Sequence, residues 1–334
     1  MNWFHRRAAA TRAIWNPNLF HGWNRSRSFF EGWYFKVVNA NETSALAFIP
    51  GISIDPEGDK FAFVQVLDGI AAKSYEYRYP AGSFSADPRR FSVQVADSNF
   101  SLDRLQINLP DFQGTLELSD PFPWPSSWRS PGVMGWYSFV PFMECYHGIV
   151  SMDHGLAGAL KMHHLTVNFD GGRGYAEKDW GTSFPRCWIW GQSNHFAGSP
   201  GTSVMFSVAH IPWRGSYFVG FLAGLLHQDK LYSFTTHNKT QAILTRLDRG
   251  VTLIFNHRDF ELAITARQAE GADLLSPIEG SMIGKVNESM QATFDVSLKH
   301  LGSRIFTGQG TSAGMEIAGD TDILFQDLAA PNNE

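Results

Sequence analysis

The chain has 334 residues, 43% apolar and 18% charged, a balance that excludes a disordered or highly charged protein and leaves room for one large domain or two of ordinary size. Its formal net charge of −5, from 27 basic and 32 acidic side chains, provides no positive field for nucleic acid. Twenty-seven Phe, eleven Trp and nine Tyr are the unusual feature, since aromatic side chains favour strands and line apolar cavities.

Taken in chain order, short segments rich in Phe, Val, Ile, Tyr and Thr recur between turn signals, the pattern of a sandwich or barrel. The first 30 residues carry Arg6, Arg7, Arg12, Arg25 and Arg27. This basic end is expected to be solvated, although it could touch anionic lipid. Strands are predicted over 30–38, 46–49, 61–67, 75–79, 91–95, 100–105 and 114–118. Gly32 between Glu31 and Trp33 predicts a bulge or a close backbone approach. The stretch from Ser119 to Pro141 holds Pro121, Pro123, Pro125, Pro131 and Pro141 among Trp124, Trp128 and Trp136, so it is read as a rigid loop and a junction. Cutting near residue 145 gives two domains, 1–145 and 146–334, each the size of an eight-stranded barrel. Further strands are predicted over 165–170, 172–179, 188–196, 203–210, 216–226, 231–235, 242–247, 251–256, 260–267, 291–300 and 304–310, with hairpins turning at Pro212-Trp213-Arg214-Gly215 and Asn256-His257-Arg258-Asp259. The expected fold is therefore all-β, with closed antiparallel barrels.

The chemistry-bearing residues sit in three runs. Strand alternation places Trp188, Trp190, Gln192, Asn194 and Phe196 on one face, where indole walls carrying two amides describe a pocket rather than a uniformly apolar core. On the preceding strand it groups Tyr175, Glu177 and Asp179 opposite Ala176, Lys178 and Trp180. If that face meets solvent, the two acids are ordinary surface charges. If it faces inward, a carboxyl in an apolar cavity is pushed towards its neutral form and can act as a general acid. Glu31 aligns with Trp33 and Phe35 and has the same two readings, an inward acid or the ion-pair partner of Lys36 or Arg27.

His147, His154, His163 and His164 crowd one stretch, but no H-x-H or H-E-x-x-H pattern appears and no metal site is expected. His147, beside Tyr146 and Gly148, is retained as a candidate base. Gly171-Gly172-x-Gly174 precedes a strand, not a helix, so it forms no phosphate loop and no cofactor is expected. Cys145 and Cys187 are too few for a disulfide framework, and no signal-type leader or long apolar run is read. The expected location is cytoplasmic, with the oligomeric state left open.

Phe30-Glu31-Gly32-Trp33-Tyr34-Phe35, Tyr175-x-Glu177-Lys178-x-Trp180-Gly181-x-x-Phe184-Pro185, Trp188-x-Trp190-x-Gln192-x-Asn194-x-Phe196 and Ala313-Gly314-Met315-Glu316-Ile317-Ala318-Gly319 together resemble the tocopherol cyclase family, over about residues 20–319. Asp179 stands where plant-type members carry Asn, and the lack of a transit-type leader makes the compact bacterial branch the nearer resemblance. The resemblance implies two lipocalin-like β-barrels in tandem and closure of a prenylated hydroquinone to a chromanol. That reaction protonates an alkene and captures the tertiary cation, so it needs a neutral acid, aromatic faces and exclusion of water. On this reading Glu177, Glu31 and Asp179 are the candidate acids, with His147 a candidate base. Trp33, Trp188, Trp190 and Tyr175 line the substrate, and Gln192 and Asn194 hold its phenolic oxygens. The alternative is a non-catalytic barrel that carries a lipophilic quinone, isoprenoid or lipid. Either way the partner is a small lipophilic molecule, with transient membrane contact a further expectation.

Overall fold

The computed structural model describes residues 3–330. These residues form a helix Trp3–Trp15, two antiparallel sheets of twelve and eleven strands, and a short helix Asp322–Asp327. The all-β expectation is met. The helix Trp3–Trp15 was not foreseen: the basic end is ordered, with Ala9 and Ala13 buried beneath it.

In the first sheet, Phe29–Val38, Ala45–Ile54, Lys60–Asp68 and Lys73–Pro80 run as a meander away from the centre. Phe84–Ala86, Ser92–Val95, Ser98–Ser101, Arg104–Asn108, Phe112–Ser119 and Cys145–Met162 form a second meander. Gly172–Gly181, last in the sheet, lies between Phe29–Val38 and Cys145–Met162 and joins the two meanders. The second sheet repeats this logic, with its first strand Trp188–Ser193 paired to its last, Ser303–Ala318.

Closed barrels were expected, yet among the described residues neither ladder closes. The ends of the first are Lys73–Pro80 and Phe84–Ala86, and those of the second are Lys230–Thr235 and Gln241–Leu247. Both openings fall between strands consecutive in the chain, where a 3-10 turn intervenes (Ala81–Ser83 and Thr236–Asn238). Pro80 donates no N–H at the first, and the second ends on Lys239 in the left-handed region at φ 67°. The backbone thus leaves strand geometry just where a closing ladder would have to continue.

The chain divides into two compact units, residues 3–184 with 274–285, and residues 185–273 with 286–330. The expected cut near residue 145 falls at the start of Cys145–Met162. That 18-residue strand was not predicted, because Gly148, Gly155 and Gly158 dilute its apolar pattern. It pairs with Phe112–Ser119 and Gly172–Gly181, so the boundary moves to Phe184/Pro185. Ser119 to Pro141 is largely irregular, as expected. The hairpins turn at Arg214-Gly215 and Arg258-Asp259, also as expected. Gly32 stays in register without a bulge. In the first sheet the register shifts instead near Ser151 in Cys145–Met162, and the second sheet has its own shifts between Ser281–His300 and Ser303–Ala318.

The core of the second unit gathers Ile189, Phe206, Val208, Phe221, Phe255 and Phe294. Gly191 makes room there, since a Cβ on it would lie 2.6 Å from the Phe206 ring and 2.7 Å from that of Phe294. The first unit takes in the hairpin tip 274–285. Gln65 offers its side-chain amide to this tip as a strand would, accepting from Leu275 N–H at 2.7 Å and donating to Leu275 C=O at 3.0 Å. Ser53 Oγ donates to Gly280 O at 2.6 Å. Gly280 turns at φ +87°, and a Cβ there would sit 2.1 Å from Ile54 O and 2.4 Å from Phe29 N. Because those are backbone atoms that cannot yield, Gly280→Ala is expected to cost about 2 kcal/mol or more. Urea unfolding and limited proteolysis within 274–285 check this; an unchanged midpoint with no new cleavage would contradict the docking role.

Candidate functional site

Strand Gly172–Gly181 carries different chemistry on its two faces. Directly opposed residues in antiparallel pairs share a face. The pairs Glu31↔Trp180, Trp33↔Lys178 and Tyr146↔Trp180 therefore gather Glu31, Trp33, Tyr146, Lys178 and Trp180 on one side. The pairs His147↔Asp179 and Ile149↔Glu177 put His147 beside Tyr175, Glu177 and Asp179 on the other.

On the first side Lys178 and Glu31, both fully buried, form an ion pair. Lys178 Nζ also donates to Leu19 O at 2.7 Å and to His21 Nδ1 at 3.1 Å, and lies 4.6 Å and 4.7 Å from the ring centroids of Trp33 and Trp180. Glu31 accepts the backbone N–H groups of His21 and Gly22 at 2.8 and 3.2 Å. The His21 ring stacks on Trp180 at 4.1 Å, and its Nε2 meets Ala13 O at 3.1 Å. Burial pulls Lys178 down to about 8 against the pull of Glu31. For Glu31, burial pushes upward, but Lys178 and His21 overcome it and hold the carboxyl below its usual range. Burial, followed by the charge of Lys178, lowers His21.

Two expectations change as a result. Of the two readings of Glu31, the ion pair forms and the proton donor does not, with Lys178 rather than Lys36 or Arg27 as the partner. Trp33 is fully buried, and the cation on its ring is the Lys178 ammonium rather than a substrate cation.

On the second side Tyr175 Oη donates to Glu177 Oε2 at 2.5 Å. His147 Nδ1 lies 2.9 Å from Asp179 Oδ1, and its Nε2 lies 3.4 Å from Glu177 Oε2. The Cys145 thiol stands 3.8 Å from Asp179 Oδ1. Tyr175 is fully buried and Glu177 nearly so, while the Asp179 side chain is 24% exposed. Burial would lower His147, but the carboxylates of Asp179 and Glu177 outweigh it and raise the imidazole well above its ordinary value. Burial together with the neighbouring acids raises Tyr175 and Cys145, so both stay protonated. The group thus holds exchangeable protons beside two carboxyl acceptors, with Asp179 partly open to solvent.

One ligand atom each from His147, Glu177 and Asp179 lies within 4.8 Å of the others, a spacing that could also hold a divalent cation. Linear motif spacing did not reveal this trio because its members come from two strands about 30 residues apart.

The second unit holds Trp188, Trp190, Gln192 and Asn194. Trp188, Trp190 and Gln192 share a face opposite the core residues Ile189 and Gly191, as predicted. The expected alternation fails at Asn194, where the ladder is interrupted opposite Ser312 at φ 45°, and Phe196 joins the core with Ile189. The acids nearest these indoles were missed by the sequence reading. Trp188 Nε1 donates to Glu316 Oε2 at 2.5 Å, and Glu316 pairs in register with Trp190 on one side and with buried Glu288 on the other. Glu316 lay within the closing motif quoted above, but no local pattern tied it to Trp188.

Lys178→Met leaves Glu31 charged without its partner and is expected to cost about 3–5 kcal/mol, most of it recovered in the Glu31→Gln/Lys178→Met double variant. Denaturant midpoints of all four proteins decide this; an additive double variant would contradict the pairing. His147 is raised in the folded state above its ordinary 6.5, so its stabilising contribution is complete below that pH and fades as pH rises through the folded value. The stability gap between wild type and His147→Gln should accordingly narrow from pH 6 towards pH 10 in urea titrations. A gap that widens would overturn the assignment of charge.

Comparison with known proteins agrees with this architecture. A probable chloroplastic tocopherol cyclase from Oryza sativa subsp. japonica is 32% identical over 110 residues, covering 32% of this chain and 23% of the rice protein. The chloroplastic tocopherol cyclase of Zea mays is 38% identical over 104 residues, covering 30% of this chain and 22% of the maize protein. The chain thus matches less than a quarter of the length of these curated relatives. Among solved structures, CghA with Sch210972 aligns at a TM-score of 0.59 and 13% identity, over 91% of this chain and 92% of CghA, a likeness of fold. The tocopherol cyclase-like family model matches residues 111–319, more than half of the sequence and including both His147 and Glu177; the chain belongs to the tocopherol cyclase-like family.

Proposed function

We propose that the protein is a cyclase of the isomerase class, acting by acid catalysis on a prenylated hydroquinone or related isoprenoid-tailed molecule. The observation that carries this reading is the Tyr175–Glu177–His147–Asp179 cluster, a nearly buried set of proton donors and acceptors inside the region of family similarity. A carrier has no use for such a group.

In this mechanism the cluster delivers a proton to the less substituted carbon of a trisubstituted alkene, and positive charge develops on the tertiary carbon. The phenolic oxygen attacks that carbon, a C–O bond forms, and the phenolic proton returns to a carboxylate of the cluster. Substrate and product are isomers, so no redox partner enters. The proton is best assigned to the group as a whole, because strongly coupled sites titrate together. Tyr175 acts through Glu177 as a positioning residue. Trp188, Trp190, Gln192 and Asn194, all in the second unit, are proposed separately as a lipophilic binding element of that unit, and no step of this mechanism runs through them. The same reading treats each sheet as a lipocalin-like barrel left open at one place, which the pairing of first and last strands supports.

Incubation with prenylated hydroquinones, followed by chromatography for the chromanol, tests the proposal. Glu177→Gln and His147→Gln should each lower turnover about 100-fold or more, compared at a temperature where each variant is folded by circular dichroism. Recovery of substrate unchanged by the wild type, with binding intact, would favour the carrier.

A further inference from the structure

The helix Trp3–Trp15 turns its small residues inward and its large ones outward. Ala9 and Ala13 are 1% and 0% exposed, whereas Trp3, Phe4, Ile14 and Trp15 are 55%, 75%, 38% and 47% exposed. At about 100° per residue these four fall within an arc of about 120°, roughly opposite the two alanines. Exposed Arg7 and Thr11 share that arc, so the outer face sets four large apolar side chains around one cation and one hydroxyl, more apolar surface than a face that meets only water carries. The apolar surface continues onto the proline-rich segment. Trp15 Nε1 donates to Trp128 O at 3.2 Å, and the Trp15 ring lies 6.0 Å from that of Phe139. Trp128 and Phe139 are 70% and 41% exposed.

The charge of the two segments that carry this surface runs against that of the chain. Residues 1–30 contain five arginines and no acid, and residues 121–143 contain Arg129 and no acid, within a protein of net charge −5. Arg7 lies over the Trp3 ring at 4.2 Å and Arg129 over Trp128 at 4.3 Å. A guanidinium beside an exposed indole is the side-chain pair that suits the headgroup level of a bilayer, with the ring at the acyl boundary and the cation on phosphate. A second copy of the chain fits less well, because a two-fold interface would set this basic patch against its own copy, like charge facing like.

We propose that this face docks the protein peripherally on an anionic phospholipid bilayer. Among the described residues no helix is long and apolar enough to cross a membrane, so the contact is interfacial. The proposal goes beyond the cyclase reading and does not depend on it.

Flotation of the full chain with phosphatidylcholine vesicles, with and without about a third phosphatidylglycerol, tests it. Wild type should float with the anionic vesicles and dissociate as salt rises. Arg6→Gln/Arg7→Gln should weaken anionic binding about 25-fold, at roughly fivefold per charge. Trp3→Ser/Phe4→Ser and Trp128→Ser, at exposed positions where thermal stability should hold, should each weaken it at least tenfold. Failure of the wild type to float, or variants that float as well as it does, would overturn the proposal. A wild-type dimer that Trp128→Ser splits, without vesicle binding, would assign the face to self-association and overturn it equally.

Discussion

A charge removed from water must find a partner, and strand Gly172–Gly181 meets that requirement on both of its faces. Behind the strand, Lys178 and Glu31 neutralise each other between two indoles. In front, His147 lies between Glu177 and Asp179. Each pairing depends on the other, because residues 177, 178 and 179 share one stretch of extended backbone and alternate across it. A shift of one residue in register would carry the lysine to the carboxyl side and the acids to the indole side. The Glu31–Lys178 pair therefore acts as a register lock for the site on the opposite face.

Topology makes the lock effective. Gly172–Gly181 is held by hydrogen-bonded neighbours on both sides, one from the start of the first unit and one from the strand that carries His147. The N-terminal segment closes the back of the pair, with Leu19 O, the His21 ring and two backbone N–H groups all directed at it. The residues that leave the helix Trp3–Trp15 thus reach the sheet interior, while the helix shows its aromatic side to the exterior. One short segment links the buried polar network to the proposed membrane-facing surface.

Much of the site was legible from strand periodicity. The grouping of Tyr175, Glu177 and Asp179 against Lys178 and Trp180 follows from alternation alone and holds. So does the Trp188, Trp190 and Gln192 face, up to Asn194, where a left-handed residue on the partner strand ends the regularity. His147 stands out in the sequence for its neighbours Tyr146 and Gly148, yet its charged partners are Asp179 and Glu177, 32 and 30 positions away. Glu31 has two readings in the sequence, an inward acid or the ion-pair partner of Lys36 or Arg27; the pairing is what forms, but nothing in its own strand reveals that the lysine is Lys178 across the sheet. Glu288 and Glu316 lie outside the predicted strands 291–300 and 304–310, so alternation assigned them no face, and their closeness to each other is a fact of pairing.

The amino-acid sequence by itself determined the β character of the chain, its two clearest hairpin turns, the family motifs and which residues share a face within the regular strands, since these depend on local propensity and a two-residue period. Only the tertiary structure decided which strands lie side by side, where the two units divide, that the ladders stay open, and which carboxylate meets a lysine and which a histidine. Those outcomes rest on contacts between residues far apart in the chain, whose energies of burial and charge pairing no local window contains.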